Sequence, residues 1–499
     1  MSYPKKVFWG TFYQAISQLI SVLVGVVSTV LLTRYLGPRG YGQFNTAIVF
    51  VGFFSVLGDL GVQAILAKDL AQNFKQKEKI LGNVFVWRLI SAVLMFLLIV
   101  GISRFMPYDE VVKFVIIIEG LRATLYLFRS YFVVVPQVKM RMDLSAWGFL
   151  MSRLLYLGGV VLVVSLRLTF VYLFYLMFLA YMFDLIFMYF SFKKLGGVII
   201  LQFDKVFLKK FLSASVMLGV ASVLGMVHHR IDTLILSLLK PSYDVGIYNV
   251  AYSIFFNFVV LPSLFLAVIF PRYSELAKRD KEWFRFFNFS LSLLWMVALP
   301  IAIFSFLFAP HLVMVVGGVE FGKSVLPLQI LAFAIISTYA SAPFIQMAVA
   351  LGKQNLLVLV TAFAVFVNVS LNAVLIPRYT YVGAAAATLI SETGAFLLIL
   401  WFFKKQFGIN FNISIWFKSL IPLTIVSLFW YGLRMLLPLN ILVNQSLIIE
   451  FLEIAAIFAV VFVLYIILLV VFNLVPRDMF REIIKSNEKT RSFSNSSSL

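Results

Sequence analysis

About fourteen stretches long enough to cross roughly 30 Å of hydrocarbon follow one another along this chain, separated by short polar connections. A chain written this way cannot close around one water-excluded core. Lipid becomes its solvent, and each stretch must satisfy its own backbone hydrogen bonds as a helix. The runs lie near 8–34, 42–66, 80–103, 111–135, 146–166 and 169–192, then near 213–239, 244–270, 285–309, 324–351, 354–376 and 381–403. Two more, near 413–437 and 448–474, close the series. Composition agrees: 62% of residues are hydrophobic and 12% charged, against about 45–50% and 25% in soluble domains. The expected class is an all-α polytopic membrane protein. No cysteine is present, which excludes disulfides, thiolate metal sites and cysteine nucleophiles.

Inside this series a polar motif occurs twice. RYLGPRGYGQFNTA (34–47) and KPSYDVGIYNVA (240–251) share one offset that aligns Gly42 with Gly246, Phe44 with Tyr248, Asn45 with Asn249 and Ala47 with Ala251. A period of roughly 200 residues is too long for a solenoid and reads as a duplicated half. The expected organisation is therefore an N-terminal six-helix lobe (1–194), a charged cytoplasmic linker (195–212), a C-terminal six-helix lobe (213–405), two additional helices (406–474) and a Ser-rich, disordered cytoplasmic tail (475–499). Six helices per half give both lobes one orientation, related by an axis along the membrane normal.

A net charge of +20 raises the question of nucleic acid, but its distribution answers otherwise. One set of alternate connections collects Lys68, Lys75, Lys77, Lys79, Lys139, Arg141, Lys193, Lys194, Lys205, Lys209, Lys210, Lys278, Arg279, Lys281, Lys404 and Lys405. The other set holds Arg34, Arg39, Arg104, Arg167, Lys240, Lys323, Arg378 and Arg434. This is positive-inside asymmetry, which places both termini in the cytoplasm of a cell (plasma or inner) membrane protein and gives no nucleic-acid partner. Lys5 and Lys6 precede an apolar stretch too long for a signal-peptide core, so the first helix is expected to stay. The outer connections are too short to carry the catalytic loop of a membrane glycosyltransferase or polymerase. The chain reads as a transporter rather than an enzyme.

Two motif matches are decoys. GGVEFGKS (317–324) fits the phosphate-loop pattern, but it joins two membrane helices with no strand before it. GPRGYG (37–42) is a loop between helices. His228 and His229 are adjacent and point about 100° apart on a helix, so they share no ligand face. No cofactor or metal is expected.

Charges inside apolar helices cost several kcal/mol each unless they meet a partner or a cavity. Glu119, Arg122, Tyr126 and Arg129 fall on one helical face. Asp59, Arg88, Arg153, Asp184, Arg230, Asp232 and Glu392 are the other intramembrane charges. Asp59, Arg88, Arg129, Arg153 and Asp184 sit at similar depth and suggest a polar, net cationic cavity. Asp59 with Arg88, and Glu119 with Arg122, can equally be structural pairs. Arg129 and Arg153 have no local acid, which favours a role toward an anion, and the arginine fork suits phosphate.

Several stretches resemble the motifs of polysaccharide flippases, members of the multidrug, oligosaccharidyl-lipid and polysaccharide exporter superfamily. They are TRYLGPRGYGQFNTA (33–47), GDLG (58–61), HRIDTLILSLL (229–239), DVGIYNVAYSI (244–254), FPRYSEL (270–276), LGKQN (351–355) and NVSLNAVLIPRYTYVGAAAATLISE (368–392). The resemblance runs from about 5 to 405. It implies two six-helix lobes around a central cavity and alternating access. The implied substrate is a polyprenyl (pyro)phosphate-linked oligosaccharide, moved from the cytoplasmic to the outer leaflet for surface polysaccharide assembly. It further implies substrate contacts at Arg88, Arg122, Arg129, Arg153 and Arg230, with Asp59, Glu119, Asp184, Asp232 and Glu392 as coupling or gating candidates. Membrane lipids, and a glycan polymerase or glycosyltransferases, are the expected partners. The last two helices either line a groove for the polyprenyl tail or simply pack. A drug or cation antiporter of the same superfamily is the alternative, and the arginine excess argues against it.

The absence of cysteine makes the topology testable. A single Cys replacing Lys240 should react with an impermeant thiol reagent in intact cells, and one replacing Lys278 only after permeabilisation. The reverse pattern would invert the orientation.

Overall fold

A computed structural model describes residues 3–276, 282–408, 413–436 and 447–474. Lys278, Arg279, Lys281 and the Ser-rich tail lie outside the described residues, as do the side chains of Lys5 and Lys6. Among the described residues every regular element is helical. α1 (Tyr3–Asp59), α2 (Val62–Gln72), α3 (Lys77–Phe105), α4 (Glu110–Phe132), the short α5 (Val134–Val138), α6 (Met142–Ser165) and α7 (Val171–Lys194) form the first half. α8 (Lys205–Leu239), α9 (Ser242–Val259), α10 (Leu261–Leu276), α11 (Glu282–Leu307), α12 (Ala309–Gly317), α13 (Val325–Ala350) and α14 (Gln354–Phe407) follow, and then α15 (Ile413–Lys418), α16 (Leu420–Leu436) and α17 (Leu447–Val471).

Eight helical stretches are long and apolar enough to cross a membrane, and two of them, Ile20–Gln72 and Gln354–Phe407, have 53 and 54 residues. Each of those two is long enough for two crossings at about 20 residues each. The chain is thus a multi-pass membrane protein. α4 is not among the eight, because it carries Glu110, Lys113, Glu119, Arg122 and Arg129. It is nevertheless packed between α1, α3 and α7.

The hinge at 34–47 differs from the expected loop. α1 runs through it and is interrupted at one residue, Gly37, with φ 63° and ψ −179°. A left-handed φ with extended ψ is open to glycine and costly for residues with a Cβ. Pro38 follows, restarting the helix where its missing N–H has no partner to lose. α14 is interrupted in the same way at Thr380, with φ 50° and ψ −129°. The stretch 317–324 is the end of α12 followed by a 3₁₀ turn, Val319–Ser324. Its Ser324 hydroxyl donates to the Ile247 carbonyl at 2.7 Å, so the serine is tied to the second repeat motif.

The two repeat motifs pack on each other. A Cβ at Gly42 would overlap the Ser242 carbonyl, and a Cβ at Gly246 would overlap the Pro38 carbonyl. Under the offset that aligns the motifs, these are the same contact made twice. Each glycine lets the other copy's backbone come close, as in an isologous interface. In the turn after α1, Gly61 meets the Ser215 carbonyl of α8, and Gly219 of α8 meets Leu60. The first contact joins α1 to α9 and the second joins the α1–α2 turn to α8, both of them backbone-to-backbone approaches of the kind small residues permit between membrane helices.

Two compact units divide the chain. The first comprises 1–250, 316–324 and 365–384, and the second 251–315, 325–364 and 385–499. The first has a core of Val62, Leu66, Leu81, Tyr131, Phe192 and Phe211, drawn from α2, α3, α4, α7 and α8. The connection before α8 is fastened to α3. The Asp204 N–H donates to Asn83 Oδ1, and the Asp204 carboxylate caps α8 by accepting from the Val206 and Phe207 N–H groups at 3.0 Å each. Lys79 lies 2.8 Å from that carboxylate, and its hydrogen bond, with the two cap donors, holds the Asp204 carboxyl below the usual carboxylate range. In the second unit, Met296 and Leu299 of α11 pack with Leu423 and Val426 of α16 and Tyr465 and Leu469 of α17. Trp295 stacks on Trp416 at 4.6 Å. The last two helices are thus built onto α11.

Replacing Gly42 or Gly246 by Ala is expected to destabilise the solubilised protein by about 1–3 kcal/mol, the usual cost of overpacking. A thermal melt reads this directly. Gly101→Ala and Gly158→Ala, at helical glycines with nothing within 4 Å, should instead be neutral or stabilising by up to about 1 kcal/mol. Equal effects at all four positions would mean the repeat contact is loose.

Candidate functional site

α4 brings Glu119, Arg122, Tyr126 and Arg129 to one face, as the spacing predicts, and the helices beside it supply what they meet. The Arg122 guanidinium donates twice to Glu119, through Nε to Oε2 at 2.8 Å and through Nη2 to Oε1 at 2.5 Å. Its plane lies over the Tyr181 ring of α7, 5.3 Å from the centroid. About two turns further on, Arg129 Nε donates to Asp184 Oδ2 of α7 at 2.8 Å. Asp184 is fully buried. From α3, Arg88 Nη2 donates to Asp59 Oδ1 at 2.5 Å, across to the end of α1, and Arg88 is also fully buried.

Tyrosines join these pairs into one cluster. Tyr126 is in electrostatic contact with Asp59, Arg88 and Arg129. Tyr181, beneath Arg122, is also in the field of Arg129 and Asp184. Arg153 of α6 belongs to the same group, in the field of Tyr156, Arg122, Tyr181 and Asp184. Its guanidinium sits 5.1 Å from the centroid of Phe149. It is exposed, and among the described residues no carboxylate lies within ion-pair distance of it.

These contacts correct one expectation and divide the arginines. Arg129 does have an acid: Asp184, 55 positions away, becomes its neighbour because α4 packs along α7. Asp59 and Arg88 form the ion pair that was one of their two readings, and Glu119 with Arg122 forms the intrahelical pair. In each pair the low dielectric makes the partner obligatory, since a lone buried charge costs several kcal/mol. Arg88 is enclosed and engaged, so it faces no open space. Four arginines meet three carboxylates, and the surplus positive charge is carried by Arg153. Tyr156 and Tyr181 were not singled out from the sequence. The available signal was spacing, since Tyr156 lies one helical turn after Arg153 and Tyr181 one turn before Asp184.

The other charges are placed separately. Asp232 of α8 is buried and accepts hydrogen bonds from the Tyr248 hydroxyl at 2.9 Å and from Asn372 Nδ2 at 2.5 Å. Asn372 also donates to Asn368 Oδ1 at 2.8 Å, and Thr233 donates to Asn249 Oδ1 at 3.2 Å. The Tyr-Asn pair of the second repeat motif is thus a partner set for α8, tied on to α14. Arg230 is half-buried, two positions before Asp232 on that helix. Glu392 lies in the second unit, where Thr338 Oγ1 donates to it at 3.4 Å. No cluster that could hold a metal ion occurs among the described residues. α11, α16 and α17 together line a small apolar recess that includes Phe304, Phe308, Val426 and Tyr465.

Residues 7–277, more than half of the chain, match the family described as polysaccharide biosynthesis protein. A putative O-antigen transporter of Shigella flexneri is 22% identical over 437 residues, covering 83% of this chain and 100% of that protein. The capsular polysaccharide biosynthesis protein CapF of Staphylococcus aureus is 24% identical over 203 residues, and the match spans 40% of this chain and 51%, about half, of CapF. A probable flippase, AglR, of Haloferax volcanii is 30% identical over 174 residues, 34% of this chain and 36% of that protein. Among solved structures, the lipid II flippase MurJ in an inward closed conformation superposes with a TM-score of 0.71 at 14% identity, covering 90% of this chain and 97% of that one. An inward-facing multidrug resistance MATE family transporter of the MOP superfamily gives 0.65 at 15% identity, covering 80% and 98%. At these identities the likeness is one of fold.

The pairing separates the arginines experimentally. Arg129→Ala should destabilise the protein by about 3–5 kcal/mol, because it leaves Asp184 charged, buried and alone. Adding Asp184→Asn should recover most of that loss in a thermal melt. Arg153→Ala orphans no acid and should stay within about 0.5 kcal/mol of the parent. An Arg129→Ala variant that melts with the parent would show that the pair does not hold the helices.

Proposed function

Because the chain belongs to the polysaccharide biosynthesis protein family, we propose that it is a flippase, a transporter and not an enzyme. Its substrate is a polyprenyl (pyro)phosphate-linked oligosaccharide, carried from the cytoplasmic to the outer leaflet by alternating access. The names of three relatives support this reading, one of them matched over its whole length. The observation that carries it for this chain is Arg153, an intramembrane guanidinium without a carboxylate at ion-pair distance among the described residues, in the field of two tyrosines and of members of two neutralised pairs. A positive charge held in that place calls for an anion, and its planar fork can donate two hydrogen bonds to one phosphate. Arg122, half-buried over Tyr181, stands next to it as a second contact if the phosphate competes with Glu119. Arg129 and Arg88 hold Asp184 and Asp59, and so shape the site rather than touch the substrate. Arg230 is kept as a contact from the second repeat. Asp59, Glu119, Asp184, Asp232 and Glu392 are the groups whose neutralisation would couple to movement.

The reading includes fourteen crossings, arranged as two six-helix lobes joined by a cytoplasmic linker and followed by two additional helices, with both termini on the cytoplasmic side of a cell membrane. A glycan polymerase or glycosyltransferases would supply and consume the substrate. A cation antiporter would need carboxylates in excess, whereas the cluster has one arginine too many. With no nucleotide site in the reading, the work can come from the membrane potential. A pyrophosphate-linked lipid carries about two negative charges, and each moved outward across 100 mV gains about 2.3 kcal/mol.

The test is export of labelled lipid-linked sugar from membrane vesicles with imposed gradients. Arg153→Ala should abolish export with normal protein abundance, and Arg153→Lys should restore it in part, since an ammonium lacks the fork. Collapsing the potential at constant proton gradient should stop transport. Full export by Arg153→Ala would remove the proposed anion contact. Loss of export only when the proton or sodium gradient is dissipated would replace the potential by ion coupling.

A further inference from the structure

At the Lys/Arg-rich end of the first unit, three connections converge on one glycine. α7 ends in a left-handed turn at Gly196, with φ 80°, closed by the Gly196 N–H donating to Lys193 O at 3.0 Å and the Gly197 N–H to Phe192 O at 2.9 Å. Lys77, the first residue of α3, donates from Nζ to the Gly196 carbonyl at 2.8 Å. Lys139, which follows α5, reaches the same place. Both ammonium groups lie beside the point a Cβ would occupy on Gly196, at 3.7 Å for Lys77 and 4.0 Å for Lys139. Both also sit over one ring, Phe74, at 5.7 and 5.3 Å from its centroid. Two like charges are thus held side by side, close enough for a single small anion to touch both.

The carboxylates nearby are already engaged. Asp204 lies 2.8 Å from Lys79, and Asp143 lies 2.8 Å from Arg141. Among the described residues no carboxylate is within ion-pair distance of Lys77 or Lys139, the exposed Glu78 included. A ring face and one carbonyl hold the ammonium groups in position without neutralising them. Lys75, Lys193 and Lys194, all exposed, add positive charge around the pair. The position specifies the missing anion. α3 and α7 span a membrane, so their ends lie at the level of the headgroups, where basic residues attract anionic lipid.

We propose that Lys77, Lys139 and Phe74 form a binding site for the phosphate of an anionic phospholipid headgroup. The site is separate from the arginine cluster and does not depend on the transported substrate. The two ammonium groups flank the phosphate, and the Gly196 turn sets their spacing.

The experiment uses the full chain in neutral detergent micelles, titrated with phosphatidylglycerol labelled on an acyl chain and, separately, with equally labelled phosphatidylcholine. Phosphatidylglycerol should bind about ten-fold or more tighter, as expected for two juxtamembrane lysines. The double variant Lys77→Gln, Lys139→Gln should lose that preference. Lys77→Arg, Lys139→Arg should keep it. Lys193→Gln, Lys194→Gln removes the same charge from the same end and should keep most of it, and inorganic phosphate at millimolar concentration should not displace the lipid. Equal binding of the two lipids would overturn the proposal. So would equal losses in the two glutamine variants, which would mean diffuse attraction only. Displacement by inorganic phosphate would assign the site to the free anion instead. A melt of each variant, unchanged for these exposed and half-buried lysines, separates loss of binding from loss of fold.

Discussion

A charge placed in hydrocarbon must be neutralised by a neighbour or reach water, and the first unit of this protein is arranged around that requirement. Three carboxylates, Asp59, Glu119 and Asp184, each take an arginine, Arg88, Arg122 and Arg129. The pairs cross from α1 to α3, along α4, and from α4 to α7. Two of them therefore join neighbouring helices, α1 to α3 and α4 to α7. Removing one partner would leave a buried ion, so the pairs restrict the packing more than they stabilise it. Arg153 is then conspicuous for what it lacks. It stands in the field of the same cluster without an acid of its own, and that surplus is what a phosphate could use.

The second constraint is the repeat. Gly42 and Gly246 each admit the backbone of the other copy, and the reciprocity follows from duplication, since one surface patch repeated by an approximate two-fold meets itself. Around that contact the second motif has acquired further work. Tyr248 donates to Asp232 and Asn249 accepts from Thr233, so the polar residues of the motif hold α8 against α9. The first motif carries Phe44 at the position of Tyr248, and with no hydroxyl there it has no such donor. The two motifs share a glycine contact and differ in the polar partners they hold.

Family membership and fold agree with this arrangement without specifying it. The relatives are named for O-antigen and capsular polysaccharide, and the likeness to a lipid II flippase and a multidrug transporter is a likeness of fold. What distinguishes a carrier of anions from a carrier of cations is the charge left over after internal pairing. Here that balance is one arginine in excess.

Much was legible in the sequence because lipid imposes a simple rule. Apolar length announced the helices, and the matching glycines of the 34–47 and 240–251 motifs are the ones that meet. Helical spacing put Glu119, Arg122, Tyr126 and Arg129 on one face, since i, i+3 and i+7 are neighbours on any helix. Spacing along one helix cannot say what stands opposite. Arg129 looked solitary because Asp184 is 55 residues away and meets it only when α7 packs on α4. The hinge looked like a loop because its residues are polar. Only the backbone showed that one glycine with a left-handed φ suffices. Nor could composition pair Lys77 with Lys139, because the Gly196 turn that gathers them belongs to a third connection. Local periodicity and solvent preference are properties of the chain itself. Which charges neutralise one another depends on which helices touch, and the tertiary structure alone decides that.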